Sequence, residues 1–119
     1  MIVVRDEARG SGKTTYIIEE LKKNPMLIAV VPNREMTKLY PERLRNRVFT
    51  FRQMADIFLS HRAHAYFPND LDGLLIDECF FESTDLPYIY WWAGRMGIDV
   101  LAVGTSHKKV MNTLGRPIK

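Results

Sequence analysis

Residues 2–15 read Ile2-Val3-Val4-Arg5-Asp6-Glu7-Ala8-Arg9-Gly10-Ser11-Gly12-Lys13-Thr14-Thr15, and this stretch decides the fold. Ile2-Val3-Val4 is a short apolar run of the kind a buried strand needs. Beyond the glycines, Tyr16, Ile17, Ile18 and Leu21 form the apolar face of a helix expected over Thr14 to Lys23, ended by Asn24-Pro25. The order is therefore strand, Gly-rich turn, helix. That context lets Gly10, Ser11 and Gly12 curl the backbone so that several N–H groups converge on one anion at the positive end of a helix. Lys13 is spaced to reach the β- and γ-phosphates of a nucleotide, Thr14 to offer its hydroxyl to Mg²⁺, and Thr15 to bond the α-phosphate. Arg9 completes the loop as a further phosphate contact. The usual pattern G-x-x-x-x-G-K-[ST] puts a glycine at residue 7, where Glu7 stands. A carboxylate there repels phosphate unless it turns away or pairs with Arg5 or Arg9.

Working outward, strand and helix signals alternate. Met26 to Val31 is a continuous apolar run, the mark of a parallel strand covered on both faces. Pro32-Asn33 closes it, a short helix through Leu39 follows, and Pro41 to Arg47 is a basic connector. Val48-Phe49 is a short strand. Thr50 and Gln53 then form a capping box for a helix carrying Met54, Ile57 and Phe58. After a turn at Pro68-Asn69-Asp70 comes the apolar strand Leu74-Leu75-Ile76. Thr84 or Asp85 caps the next helix, with Pro87 in its first turn and Gly97 at its end. Ile98 to Val103, closed by Gly104, is the last clear strand, and a final short helix spans His107 to Leu114. The alternation implies one α/β domain over residues 1–119, three layers with a mostly parallel sheet.

The strand Leu74-Leu75-Ile76 ends in Asp77-Glu78. Two carboxylates then lie at the carboxyl edge of the sheet, where open α/β folds bind ligands. Asp77 is placed to hold Mg²⁺ opposite Thr14, and Glu78 to polarise an attacking water. At the end of another strand, Thr105, Ser106 or His107 offers a polar sensor for the γ-phosphate, with Thr105 foremost; an ordinary helix cap is the alternative use of Thr105 or Ser106.

At 119 residues, 46% hydrophobic and 26% charged, the chain is a single domain too apolar for disorder. No apolar run is long enough to cross a bilayer, and the N-terminus lacks the basic region and cleavage site of a secretion signal. Cys79 is alone, which rules out an internal disulfide and points to the cytoplasm. The net charge of +3 hides a segregation. Residues 34–64 hold seven Lys and Arg against three acids, whereas residues 65–101 hold one against seven. The basic block suits a phosphate-bearing partner or a plainly solvated surface.

Taken together these residues resemble the P-loop NTPases with an additional catalytic glutamate, over about residues 1–107. The resemblance implies a minimal RecA-like three-layer α/β/α fold, in which one inserted strand separates the phosphate-loop strand from a Walker B strand and the last strand of the type is open to question. It implies an ATP hydrolase using ATP and Mg²⁺, with Lys13, Glu78 and Thr105 in the chemistry. Val31-Pro32-Asn33-Arg34 and Val48-Phe49-Thr50-Phe51-Arg52 are similar to segments of superfamily 1 helicases and viral terminase motors that touch single-stranded nucleic acid. On that resemblance Arg34, Lys38, Arg43, Arg45, Arg47 and Arg52 form the contact, and a viral protein acts in the host cytoplasm. Ile76-Asp77-Glu78-Cys79-Phe80-Phe81 is similar to a segment of the thymidine kinases, so a nucleoside kinase is the alternative, and a nucleotide-binding module without turnover a third. ATPases of this type often take an arginine from a neighbouring subunit. That implies a homo-oligomer or a larger protein partner, with Arg95 and Arg116 as candidate donors.

Tyr88, Tyr90, Trp91 and Trp92 crowd one helix and are read as core plus a subunit contact rather than base-stacking platforms. His61, His64 and His107 lack metal-ligand spacing, and Cys79 is read as a small buried residue.

Overall fold

A computed structural model describes residues 1–61, 67 and 71–106. Five strands form one sheet: β1 (Ile2–Asp6), β2 (Leu27–Val31), β3 (Val48–Thr50), β4 (Gly73–Asp77) and β5 (Val100–Gly104). Their order is β1-β5-β4-β2-β3, and every neighbouring pair is parallel. β5 therefore lies between the strand that precedes the Gly-rich loop and the strand that ends in Asp77. Parallel strands need crossover connections, and these supply the helices α1 (Lys13–Lys23), α2 (Arg34–Thr37), α3 (Phe51–Leu59) and α4 (Leu86–Arg95). The segment expected as an irregular basic connector is a 3₁₀ helix over Glu42–Arg47.

Side chains alternate across the sheet and divide the core in two. Ile28, Val30, Leu74, Ile76, Val100 and Ala102 face α3 and α4, meeting Phe51, Met54, Phe58, Ile89 and Ala93. Ala29, Val31, Leu75 and Val103 face the other way, against Ile17 and Leu21 of α1 and against Tyr40 and Leu44. The result is an α/β/α sandwich. Arg47, counted with the nucleic-acid contacts on resemblance, is turned inward instead. Its guanidinium donates to the carbonyls of Leu21, Asn24 and Leu27, staples α1 to the start of β2, and burial lowers its pKa.

The local signals explain the helix starts. Asn33 accepts the Met36 N–H at 3.1 Å, and Thr50 and Gln53 exchange both bonds of a capping box. Asp85 stands at the N-cap of α4 without capping it; its carboxylate instead lies 3.6 Å from Arg52, tying α4 to α3. α4 stops at Arg95, and Gly97 follows in the left-handed region at φ 70°. The expected turn at residues 68–70, the helix at His107 to Leu114, and His64, His107 and Arg116 lie outside the described residues.

Candidate nucleotide site

The chemistry-bearing residues meet at the carboxyl edge of the sheet, because β1, β4 and β5 all end there in parallel. The loop after β1 is exposed from Ala8 to Gly12. Gly10 and Gly12 take φ of 77° and 84°, a conformation that costs a residue with a Cβ roughly 1–2 kcal/mol. Gly12 is the N-cap of α1 and offers no side-chain cap, and no acid stands in the first turn. The first N–H groups of α1 are thus left for an anion. Glu7, the departure from the usual loop pattern, is drawn aside: Arg5 Nε lies 3.2 Å from its carboxylate and the Ser11 hydroxyl donates to it at 3.3 Å. The pairing with Arg5 is one of the arrangements that offset its charge.

Lys13 opens α1 and is 8% exposed. Its ammonium donates to Thr105 Oγ1 at 3.1 Å and lies 3.9 Å from Glu78 Oε2. With Glu78 partly exposed, that ion pair is worth only ~0–1 kcal/mol and yields readily to a phosphate. Thr105 in turn donates to the Glu7 carbonyl at 2.6 Å, so the end of β5 holds both the loop and its lysine. Ser106 donates its N–H to Asp6 at 3.0 Å.

Asp77 is fully buried at the end of β4. Its Oδ2 accepts the Thr14 hydroxyl at 2.7 Å and the Tyr40 hydroxyl at 2.9 Å. Its Oδ1 is buried with no hydrogen-bond partner among the described residues. Such an oxygen is costly to leave unpaired, and a cation is one partner that would satisfy it. Glu78 follows with φ 56°, the left-handed region in a residue that has a Cβ. The turn is held by Cys79 N–H to the Val103 carbonyl at 2.8 Å and by Phe81 N–H to the Glu78 carbonyl at 2.9 Å. Gly104 makes this approach possible, since a Cβ there would sit 2.9 Å from Cys79 N. Strain of this kind persists where surrounding structure over-determines it, and it aims Glu78 at Lys13.

Cys79 is buried as expected, and burial, aided by the Glu78, Asp6 and Asp77 carboxylates, pushes its thiol up to about 11.

No family model, curated protein or solved structure matches this chain.

Of the residues singled out in the sequence, Arg9, Lys13, Glu78 and Thr105 line one cleft of about 290 Å³, with Thr14 and Asp77 joined beneath it. Phe80 and Phe81 also line it. Motif reading gives them no role in the site, although an aromatic pair one residue past two acids, outside any strand or helix pattern, is a visible signal. Thr15 is exposed on α1. Tyr40 is missed altogether, because the link Lys38-Leu39-Tyr40-Pro41 has no periodicity from which burial can be read. Arg95 lies at the far end of α4, away from this edge, with its guanidinium 5.1 Å from the centre of the Trp91 ring.

Among the described residues no cluster of three His, Cys, Asp or Glu could cage a metal. The set that does exist, one hydroxyl and one carboxylate with a free oxygen, consists of hard oxygen donors. It fits Mg²⁺, which binds through one or two carboxylates together with substrate phosphates rather than in an all-protein cage.

Proposed function

We propose that this chain is a Mg²⁺-dependent ATPase. The observation that carries the reading is the Thr14–Asp77 hydrogen bond of 2.7 Å, which joins the Gly-rich loop to the acidic strand end beside a buried oxygen without a partner. The loop N–H groups and Lys13 bind the phosphates and stabilise negative charge as it develops. Arg9, Gly10, Ser11, Gly12, Thr14 and Thr15 complete the nucleotide contacts. Thr105 orients Lys13, and Glu78 orients the attacking water and accepts its proton. Thr14 and Asp77 would hold Mg²⁺, which would supply neutralisation of phosphate charge. Product analysis tests the reading with ATP and Mg²⁺. ADP and inorganic phosphate are expected. Transfer of the phosphoryl group to a nucleoside replaces the hydrolase with a kinase, and binding without turnover leaves a nucleotide-binding module.

Two partners follow from the same reading. α2 and the link after it begin at the carboxyl end of β2, so Arg34 and Lys38 lie on the site-bearing edge of the sheet, and single-stranded nucleic acid is the partner proposed for this basic segment. Its affinity should fall steeply with salt. β1 is an edge strand with Ile2, Val3 and Val4 between 41% and 51% exposed, and such an edge invites pairing with a second copy or a larger protein. No helix among the described residues is long and apolar enough to cross a membrane, and action in the cytoplasm is part of the proposal.

A further inference from the structure

Tyr40 is 1% exposed, lies between α2 and the 3₁₀ helix, and spends its hydroxyl on Asp77. A buried tyrosine needs one partner for its O–H, and many acceptors would serve. Here the acceptor is the carboxylate whose other oxygen is left without a partner. A carboxylate turns about its last side-chain bond and exchanges its two oxygens. Thr14 alone offers Oδ2 a single tether, from a hydroxyl that must also serve the cation. Tyr40 adds a second tether to that same oxygen from the opposite element, and with both bonds made only Oδ1 remains for a metal. Tyr40 is itself fixed from behind: Arg45 Nε donates to its carbonyl at 3.0 Å, and Arg45 Nη2 donates to the Lys38 carbonyl at 3.2 Å.

We infer that Tyr40 is the positioning residue of the metal site, a hydroxyl that pins Asp77 Oδ2 so that Oδ1 faces the cation. The inference rests on the ATPase reading for the identity of the site, and it assigns to the basic segment a structural hold on that site. Groups that orient a metal ligand from behind typically cost 10–100-fold in metal affinity when removed.

The test uses the full chain, Mn²⁺ as a spectroscopic substitute for Mg²⁺, and a fluorescent non-hydrolysable ATP analogue. Mn²⁺ affinity in the presence of the analogue is read by electron paramagnetic resonance. Analogue affinity is read separately in chelator, where Lys13 and the loop act without metal. Tyr40→Phe keeps the ring that packs against Ile17 and Leu21 and removes only the hydroxyl. It should weaken Mn²⁺ roughly tenfold or more while leaving metal-free analogue affinity within about twofold. Asp77→Asn is the reference for loss of the metal ligand itself. Parental Mn²⁺ affinity in Tyr40→Phe, with Asp77→Asn impaired, overturns the role of Tyr40 and leaves the ATPase reading standing. Parallel loss of metal-bound and metal-free affinity also overturns it, since that is the signature of a merely structural residue. A parent chain that binds neither Mn²⁺ nor the analogue overturns both.

Discussion

β1 and β4 carry the two halves of the candidate site on the same kind of apolar run, Ile2-Val3-Val4 in one and Leu74-Leu75-Ile76 in the other. β4 has a strand on each side and helices on each face, and all five of its residues are buried. Among the described residues β1 pairs only with β5, and all five of its own residues are exposed. The apolar pattern reports a strand; burial comes from the neighbours. The carboxylate half of the site therefore stands on a fully buried strand, while the phosphate loop hangs from the least covered one. The bonds that run from Glu7 N–H to the Gly104 carbonyl and from Thr105 to the Glu7 carbonyl compensate, fastening the exposed loop to the inner strand β5.

The largest expected effect separates chemistry from scaffold. Glu78→Gln keeps the strained turn and the hydrogen-bonding shape but removes the base, so steady-state ATP hydrolysis should fall about 10²–10⁴-fold with nucleotide binding retained. Hydrolysis at the parental rate would transfer the role of base to another group.

Next comes the direct contrast of the strands. Ile76→Ala in β4 should cost about 2–5 kcal/mol in urea denaturation, because a fully buried side chain leaves a cavity. Val4→Ala in β1, from a position 51% exposed, should cost under about 1 kcal/mol. Equal losses would show that β1 is covered in solution, as it would be in an assembly of copies.

Lys13→Ala removes a charged donor from the loop half. It should weaken ATP binding about 10–100-fold by calorimetry, the worth of roughly 1.5–3 kcal/mol for a hydrogen bond to a charged group. Unchanged affinity would detach the loop from phosphate binding.

The smallest effect is a pH dependence. Cys79 is raised from 9.0 to about 11, and Tyr90 from 10.0 to about 12 by burial and then by Cys79. Each group is neutral in the fold at a pH where the unfolded chain already ionises it. Their contribution is complete below about pH 9 and is lost as pH rises toward 11 and 12. The urea midpoint should therefore fall between pH 8 and 11, and a flat profile would contradict the burial of both groups.

Local sequence was enough for the alternation of elements, the parallel class of the sheet, and the loop and acid pair at the ends of two apolar runs. Each of these follows from local chemistry: periodicity, caps, glycines before a helix, and carboxylates just past a strand. The capping box at Thr50 and Gln53 and the burial of Cys79 were legible in the same way. Tertiary structure alone decided the rest. Strand order set which apolar run is buried and which is an edge, since a strand does not encode its neighbours. Arg47 reads by resemblance as a nucleic-acid contact and is a staple, because three carbonyls, from α1, its C-cap and β2, converge on it only in the folded chain. Tyr40 found Asp77 across 37 positions of sequence, and Lys13 found Thr105 across 92. Contacts between residues so far apart are fixed by the packing of whole elements, and no local pattern of residues records them.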